Sequence, residues 1–501
     1  MEQDEEEMEG GGGREGHVYN TRVEEALNAV GFGRYQWTIL VYAGCGWLAE
    51  AMEVMILSFI GPTLKSQWSL SSAQESLLST VVFSGMLVGA FTWGLVSDRF
   101  GRKRGFFCIT TITSAAGLLS TFSPDYATLL LLRWFVGLGL GGGHVFLSWF
   151  LEFLPASHRG TWMVVFSTFW SVGTIFEASL AWIVMPRLNW RWLLGLSAIP
   201  SIVLLLFYGY TSESPRYLCL RGRTTDAYRV LEKMALFNGR ELPPGFLLSY
   251  GTDSVDGEIN TSQQEPLLSA TGKKMGELKS GFLSFSLLFS SKLIRTTVLL
   301  WVLFFGNTFA YYGIILMTSA LSEGQIKCGS TTLRSDDSLY TDVLITSFAE
   351  LPGLLLSAII VDKVGRKASM VLMFSLFCIF LVPLLSQQSS VVTTGLLFGA
   401  RMFSMGTFTV ACIYAPELYP TTVRATGNGA ANAVGRIGGM ICPLVAVGLV
   451  TSCNLKPAII LFEAVAVITI VNILMFPFET KGRELSDSID TTDSEQAAVE
   501  G

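Results

Sequence analysis

Charged residues are scarce in this chain of 501 residues. Asp, Glu, Lys and Arg make up 15% of it, whereas they make up about a quarter of an average soluble domain. The hydrophobic share is 50% and the mean hydropathy is +0.48. A soluble chain of this length would form about three domains of roughly 150 residues. This composition instead indicates that lipid is the main solvent, which excludes most soluble enzymes.

Cysteine and histidine are also rare. Eight cysteines are too few for a disulfide framework, and no CxxC pair typical of zinc sites occurs. The three histidines, at 17, 144 and 158, form no motif with Cys or Ser. The glycine-rich stretch 139–143 follows no strand, so it indicates tight helix packing rather than a nucleotide-binding loop. We therefore expect no enzymatic activity, no metal site and no cofactor.

Acidic residues are concentrated at the ends of the chain. The net charge is −6, but six of the first nine residues are acidic, and glycines follow at 10–13. The middle is not acidic, and nothing there indicates a nucleic-acid partner. This start is the reverse of the basic region that opens a secretory signal. We therefore expect the first membrane helix to act as the insertion signal.

Long apolar stretches are abundant. A helix that crosses about 30 Å of hydrocarbon needs about 20 apolar residues. The stretches are apolar around the whole helix, unlike the amphipathic helices of a soluble α/β protein. The sequence thus predicts an all-α membrane protein with twelve transmembrane helices in two six-helix halves, at 36–60, 74–97, 105–123, 127–153, 161–185, 192–211, 293–320, 340–361, 368–386, 391–415, 426–451 and 456–477.

The distribution of Lys and Arg predicts the orientation of these helices. If both termini face the cytosol, the inner segments hold 24 of these cations and the outer loops hold 6. Because cytoplasmic loops carry an excess of Lys and Arg, this split predicts cytosolic termini. The only Asn-x-Ser/Thr sequon, at Asn260, then lies in the cytosol. Cys328 and Cys453 lie outside, and whether they form a disulfide stays open.

The longest connection, 212–292, separates the two halves. Within it, an amphipathic helix is predicted at 224–238, with Val230, Leu231, Met234 and Phe237 on one side. The stretch 250–273 is rich in Ser, Thr, Gln and Gly and is predicted to be disordered. The predicted organisation is an acidic, Gly-rich cytosolic tail (1–34), an N-terminal half (35–211), the cytosolic linker (212–292), a C-terminal half (293–477) and a second cytosolic tail (478–501).

The two halves repeat each other in sequence. The run of Asp98, Arg99, Gly101, Arg102 and Lys103 recurs 264 residues later as Asp362, Lys363, Gly365, Arg366 and Lys367. Glu152, Pro155 and Arg159 recur 265 residues later as Glu417, Pro420 and Arg424, and Glu213 and Glu479 are 266 apart. This shared register indicates a duplicated six-helix unit, the plan of transporters built from parallel repeats.

These motifs resemble the major facilitator superfamily over nearly the full chain. The stretch 94–104 is similar to the family's loop between helices two and three, and 133–139 to its Arg-x-x-x-Gly-x-Gly pattern in helix four. The stretches 212–216 and 478–483 resemble the PESPR and PETKG signatures of sugar and organic-ion members. Finer similarity, at 46–53 and 310–313, is to the synaptic-vesicle-type branch. Within it, the chain resembles the plant organic cation/carnitine transporters, one of which is a nicotinate transporter.

Charged residues inside the predicted helices are the candidates for function, because a centred ion costs about 2.5–3.5 kcal/mol. Glu50 and Glu53, one turn apart on helix one, and Glu177 on helix five are the predicted proton-coupling residues. Arg133 of helix four is predicted to bind the substrate. For each, the alternative is an ion pair that only holds helices together. That structural interpretation is favoured for Glu350, Arg401 and Arg436.

Aromatic and amide side chains complete the predicted site. Trp170 precedes Glu177 by two helical turns and shares its face, and two tyrosines interrupt an apolar helix. The resemblance implies that Phe408 and Asn432 line the cavity. Packing or anchoring at the membrane interface is the alternative for any aromatic residue. The predicted substrate-binding residues are Arg133, Trp170, Asn307, Tyr311, Tyr312, Phe408 and Asn432.

A cytoplasmic gate is implied by the repeated loop motif. Gly94 is predicted to let another helix approach its backbone, and Asp98 to accept hydrogen bonds from a helix N-terminus or an arginine. The alternative is a basic loop that only obeys the positive-inside rule. The predicted gate residues are Gly94, Asp98, Arg99, Arg102, Glu152, Arg159, Asp362, Arg366, Glu417 and Arg424.

The residues and the resemblance together predict secondary active transport through a cavity that opens alternately to either side. The leading substrate is nicotinate or a related pyridine carboxylate, which is held between aromatic rings and moved with protons. Arg133 would offset the negative charge of its carboxylate. The connection 61–73 lacks the large loop of animal organic cation transporters, which disfavours carnitine. An organic cation or zwitterion remains the alternative, followed by a sugar or a non-transporting receptor. We expect a monomer in the plasma membrane, with a vacuolar or vesicular membrane as the alternative.

Overall fold

The computed structural model describes residues 23, 25–155, 159–242, 286–291, 293–327, 337–386, 388–419, 423–450, 455–477 and 479–481. The side chains at 159–161, 220, 323–327, 337–338 and 424–425 are outside this description. So are several positions on which predictions were made: the stretch 250–273, Asn260, Cys328 and Cys453.

Some membrane helices of the first half are interrupted. Helix one turns at Ile56, and helix six is divided just before Pro200, whose ring removes a backbone donor. The helices are α1 Arg34–Met55, α2 Leu57–Trp68, α3 Ser72–Phe100, α4 Arg102–Ser120, α5 Tyr126–Leu140, α6 Gly143–Leu151, α7 Arg159–Val184, α8 Trp190–Ser197 and α9 Ile199–Leu206.

Among the described residues, two helices follow the first half and seven belong to the second. The linker contributes α10 Pro215–Leu220 and α11 Thr224–Asn238. The second half contains α12 Ile294–Lys327, α13 Asp337–Phe348, α14 Glu350–Val364, α15 Arg366–Leu381, α16 Ser390–Leu418, α17 Arg424–Ala446 and α18 Leu455–Leu474.

Eleven helical stretches among the described residues are long and apolar enough to cross a membrane, by length and composition. They include the composite stretches Arg34–Trp68, Tyr126–Leu151 and Leu339–Val364. The predicted third span is present as α4, which is 19 residues long and begins with three basic residues, but it is not among the eleven. The chain is therefore an all-helical, multi-pass membrane protein.

Glycines allow α3 and α5 to pack backbone to backbone. A Cβ atom on Gly137 would lie 2.1 Å from the carbonyl oxygen of Val82, and one on Gly85 would lie 2.3 Å from that of Trp134. Gly139 and Gly141 of the glycine-rich stretch make similarly close approaches. The predicted role of that stretch in tight helix packing is confirmed.

The linker helix α11 lies against the start of α1. Its buried residues are Ala227, Leu231, Met234 and Ala235, spaced so that they form one stripe. The side chain of Asn238 accepts a hydrogen bond from the backbone N–H of Tyr35 at 2.9 Å and so satisfies a free donor of α1. We call this end of the bundle the linker end, and the opposite end the far end.

One residue of the predicted apolar side of α11 was wrongly placed. Phe237 is 54% exposed. The buried stripe is centred on Leu231, and Phe237 lies at its edge, where its ring meets that of Tyr35 with centroids 6.1 Å apart.

The two halves meet mainly toward the far end. There α3 packs on α17, and α13 packs on α7. The hydroxyl of Thr80 donates to the carbonyl oxygen of Met440 at 3.1 Å, across the contact between α3 and α17.

Candidate functional site

A buried ion pair lies within the first half. Arg133 Nη1 of α5 donates to Glu53 Oε2 of α1 at 2.9 Å, and Arg133 Nε donates to Ser120 Oγ of α4 at 3.2 Å. The two charged side chains are 0% and 1% exposed. Arg133 Nη2 has no hydrogen-bond partner among the described residues. Arg133 therefore braces three helices of one half and still has one donor atom free.

The other two predicted proton-coupling residues have different partners. Both carboxyl oxygens of Glu177, on α7, lie within 2.9 Å of the hydroxyl of Ser197 on α8. Glu50 lines a small cavity together with the hydroxyl residues Thr110 and Ser201. Both glutamates are buried. The predicted proton-coupling residues therefore do not share a hydrogen-bond partner, although Glu177 lies close enough to the buried ion pair of the first half to interact with its charges.

A second buried ion pair lies in the second half. Arg401 of α16 donates to Glu350 Oε1 at the start of α14, from Nη2 at 2.7 Å and from Nε at 3.0 Å. Both side chains are 0% exposed. Arg401 Nη1 has no hydrogen-bond partner among the described residues, and Arg401 Nη2 lies 3.6 Å from the sulfur of Met55 on α1. This pair thus reaches the surface of the first half.

Hydrogen bonds extend the second pair across the boundary between the halves. The hydroxyl of Tyr311 on α12 donates to Glu350 Oε1 at 2.9 Å, and Trp170 Nε1 on α7 donates to that hydroxyl at 2.6 Å. The hydroxyl of Thr174, one turn after Trp170, donates to Glu350 Oε2 at 3.2 Å. Two predicted substrate residues are therefore in direct contact with each other, and one of them, Tyr311, is also in direct contact with Glu350.

The remaining predicted substrate residues surround this network unequally. The ring of Phe408 stacks on Tyr311 with centroids 5.9 Å apart. The hydroxyl of Tyr312 accepts a hydrogen bond from Arg436 Nη1 at 3.2 Å. Asn307 and Asn432 each donate to a carbonyl oxygen one turn earlier in their own helix. The structure therefore brings Phe408 and Tyr312 to the aromatic pair, whereas the amide donors of both asparagines are engaged within their helices.

Sequence reasoning missed Trp47 at this site and a buried carboxyl group of the second half, Asp342. The ring of Trp47 lies 5.1 Å from that of Trp170. Asp342 accepts hydrogen bonds from Ser322 and Thr394. The signal for Trp47 was available, since it lies three residues before Glu50 and therefore on a neighbouring face of the same helix.

Charged clusters occupy the linker end of the first half. Arg102 pairs with Asp98 and, at 2.9 Å, with Glu152. The carboxylate of Glu213 accepts from the backbone N–H of Lys103 at 3.1 Å and so caps α4. Burial raises the pKa of Glu213, and the backbone N–H donors of Ser214 and Lys103 oppose this change.

The second half repeats the pair between Arg102 and Glu152 and the cap by Glu213. Arg366 pairs with Glu417 at 3.0 Å, and the carboxylate of Glu479 accepts from the backbone N–H of Arg366 at 2.7 Å and of Lys367 at 2.9 Å. Glu479 thus caps α15 as Glu213 caps α4. Sequence reasoning placed both glutamates in the repeat but not in the gate.

One part of the predicted gate was wrong, and the gate itself stays a prediction. Gly94 permits no close approach, because a Cβ there would meet only His144 Nε2, at 3.6 Å. The hydrogen bonds that Arg102, Arg366 and Lys367 make with described residues stay within each half. Asp362, like Asp98, is exposed. Arg99 meets Phe100 in a cation–π contact. The side chains of Arg159 and Arg424 lie outside the described residues.

Comparison with known sequences gives one consistent result. A family model described as sugar (and other) transporter matches residues 34–490. Organic cation/carnitine transporter 7 of Arabidopsis thaliana is 54% identical over 486 residues, which cover 94% of this chain and 97% of that protein. A synaptic vesicle 2-related protein of Xenopus laevis is 36% identical over 93% of this chain and 82% of its own length.

Comparison with solved structures concerns the fold. The proton:xylose symporter XylE of the major facilitator superfamily, solved with bound 6-bromo-6-deoxy-D-glucose, superposes with a TM-score of 0.67 at 18% identity, covering 91% of this chain and 99% of that chain. An inward-open conformation of XylE from E. coli gives the same TM-score at 18% identity. At this identity the likeness shows the major facilitator fold alone.

Proposed function

Because this chain belongs to the sugar and other transporter family of the major facilitator superfamily, we propose that it takes up nicotinate or a related pyridine carboxylate together with protons. The family resemblance read from the motifs is confirmed, and members of this family are transporters of small organic substrates, not enzymes. The identity of the substrate and the proton coupling are our inference from the site.

One observation carries the choice of a carboxylate. Arg133 and Arg401 are both 0% exposed, and each has a guanidinium nitrogen without a hydrogen-bond partner among the described residues. A buried donor without a partner costs about 1–3 kcal/mol, more for a charged group. A substrate carboxylate would relieve this cost, since guanidinium and carboxylate match in geometry. The rings of Trp170, Tyr311 and Phe408 offer a neighbouring surface for a flat aromatic molecule.

Proton coupling is assigned to the buried carboxyl groups of the membrane helices. Glu50, Glu53 and Glu177 are all buried in the first half. The hydrogen-bond donor to Glu177 is the neutral hydroxyl of Ser197. An ionised carboxylate is costly in such a buried position, and protonation of Glu177 removes that cost. Uptake with a proton also keeps the transport of a monovalent anion electroneutral.

The arrangement in the membrane follows from the same premises. We take α4 as the twelfth crossing, because its length of 19 residues suffices and its three basic residues would lie at the cytosolic surface. Both termini and the linker then face the cytosol. The protein works as a monomer in the plasma membrane, and a vesicular or vacuolar membrane is the second choice, since synaptic vesicle proteins are among the relatives.

An organic cation or a zwitterion is the second candidate substrate. The described parts of the membrane helices hold more buried carboxyl groups than guanidinium groups, which favours a positively charged ligand. Aromatic rings also bind quaternary ammonium groups. The Arabidopsis relative, moreover, is named as an organic cation/carnitine transporter.

Uptake into liposomes that contain the purified protein decides between these substrates. With an acidic exterior, we expect labelled nicotinate to accumulate about tenfold per unit of pH gradient, because tenfold corresponds to about 1.4 kcal/mol. A protonophore should abolish this accumulation, and empty liposomes give the background. Nicotinate should compete with the label and its uncharged amide should not. If carnitine or a permanent cation is the better competitor, the carboxylate proposal is wrong and the second candidate replaces it.

A further inference from the structure

The carboxylate of Glu350 already occupies a site suited to a carboxylate ligand. The geometry points to a competition for Arg401. The substrate's carboxylate binds Arg401 only after Glu350 has taken up a proton and has thereby released the arginine. This inference rests on the proposed carboxylate substrate and its coupling to protons. It gives the coupling proton to Glu350, a residue of the second half that the sequence favoured as structural, in place of Glu50, Glu53 and Glu177.

The donors around Glu350 are those that an organic carboxylate requires. Its Oε1 accepts from two nitrogens of Arg401, at 2.7 and 3.0 Å, and from the hydroxyl of Tyr311 at 2.9 Å. Its Oε2 accepts from Thr174 at 3.2 Å. Arg401 Nη1 is free of hydrogen bonds among the described residues, so the arginine can begin to bind a second carboxylate before it loses the first.

The location of this pair distinguishes it from Glu53 and Arg133. That first pair and Ser120 all belong to one half, so a rocking motion of one half against the other leaves their hydrogen bonds intact. Glu350 instead binds Thr174 of the other half directly and Trp170 through Tyr311. Motion between the halves must therefore break or rearrange one hydrogen bond that ends on Glu350 and one that ends on its partner Tyr311.

Among the described residues, Glu350 is the carboxyl group that accepts the hydrogen bonds of this network. Arg401 faces it from α16 and Tyr311 from α12, while α7 presents Thr174 and the indole of Trp170. The nearby carboxyl groups have other partners: Glu177 accepts from Ser197, and Glu53 pairs with Arg133. A proton on Glu350 therefore acts on Arg401 without a second carboxyl group sharing these donors.

The proton balance of one cycle is simple. A proton from the side of uptake binds a carboxyl oxygen of Glu350, and the ion pair with Arg401 is lost. The substrate carboxylate takes the place of Glu350 on Arg401, so the charge at the site is unchanged. After the halves rock, the substrate leaves, the proton leaves to the same side, and Glu350 pairs with Arg401 again. One proton crosses with each anion.

The test is the pH dependence of nicotinate binding to the purified full-length protein, measured between about pH 6 and 9, where nicotinate remains an anion. In the wild type, we expect affinity to fall about tenfold per pH unit where Glu350 is ionised, because binding then requires one proton. Glu350→Gln should remove this dependence, retain nicotinate exchange and lose accumulation driven by a pH gradient. Glu463, a half-buried carboxyl group on α18 beside Cys378, provides the control: Glu463→Gln should keep the wild-type dependence.

A second variant keeps the inference testable if Glu350→Gln does not fold. Thr174→Val removes one donor to the ionised Glu350 with little change in shape, and should move the loss of binding to higher pH. The inference is overturned if Glu350→Gln keeps the wild-type pH dependence, if Thr174→Val leaves the profile unmoved, or if Glu53→Gln alone removes the dependence. If the wild type binds a permanent cation but no nicotinate, the proposed function itself fails.

Discussion

The ion pair between Glu53 and Arg133 allows a quantitative test of what holds the first half together. At 2.9 Å, two unit charges attract by about 6 kcal/mol at an effective dielectric constant of about 20. Removal of both from water offsets most of this attraction. Loss of one partner, however, leaves a buried charge alone and costs about 3–5 kcal/mol. Glu53→Gln and Arg133→Gln should therefore each destabilise the protein strongly, whereas the double variant should cost much less than their sum.

Thermal unfolding of the detergent-purified protein measures this difference. A folding unit of 150–250 residues loses roughly 3 °C per kcal/mol, so each single variant should melt about 10 °C below the wild type. The double variant should recover at least half of that loss. If the two single losses simply add in the double variant, the pair contributes no coupling energy, and the bracing role assigned to Arg133 is wrong.

Three further outcomes follow from the packing and the topology. Gly137→Ala should lower the melting temperature, because its Cβ would lie 2.1 Å from a backbone carbonyl of α3, whereas Gly209→Ala, which faces open space, should not. Gly365→Ala should displace the cap of α15, because the φ of Gly365 is +97° and the new Cβ would lie 2.8 Å from the carboxyl carbon of Glu479. The melting temperature should fall in this variant and not in Gly209→Ala. Expression in a glycosylating cell should give no glycosidase-sensitive mass shift at Asn260, and a shift that Asn260→Gln removes would contradict a cytosolic linker.

The fold was predictable because membrane helices are specified locally. A stretch of about 20 apolar residues must satisfy its own backbone in lipid, so length and hydropathy alone locate each helix. The repeated motifs then indicated two similar halves. The sequence did not predict breaks within the helices, such as the turn at Ile56. A break of this kind costs little where neighbouring helices cover it.

The site was harder to predict because the spacing along one helix does not determine what faces it. Glu50 and Glu53 were expected to act together from their spacing, yet Glu53 pairs with α5 and Glu50 lines a separate small cavity. Glu350 and Arg401 were each noted as buried charges, but they lie 51 residues apart, and nothing in the sequence pairs them. Only the packing of α14 on α16 brings them into contact.

The distribution of strong and weak contacts explains how such a molecule can both stay folded and move. The paired charges of the linker end and the two buried pairs stabilise each half internally, the buried ones by about 3–5 kcal/mol against loss of one partner. Across the boundary, the described residues contribute single hydrogen bonds, such as those from Thr80, Thr174 and Trp170. Hydrogen bonds between membrane helices average about 0.6 kcal/mol, so three of them together oppose separation by about 2 kcal/mol. Each of these bonds is thus weaker than either buried ion pair. A ligand that displaces Glu350 from Arg401 acts where one of the three bonds ends, beside Tyr311, which accepts another.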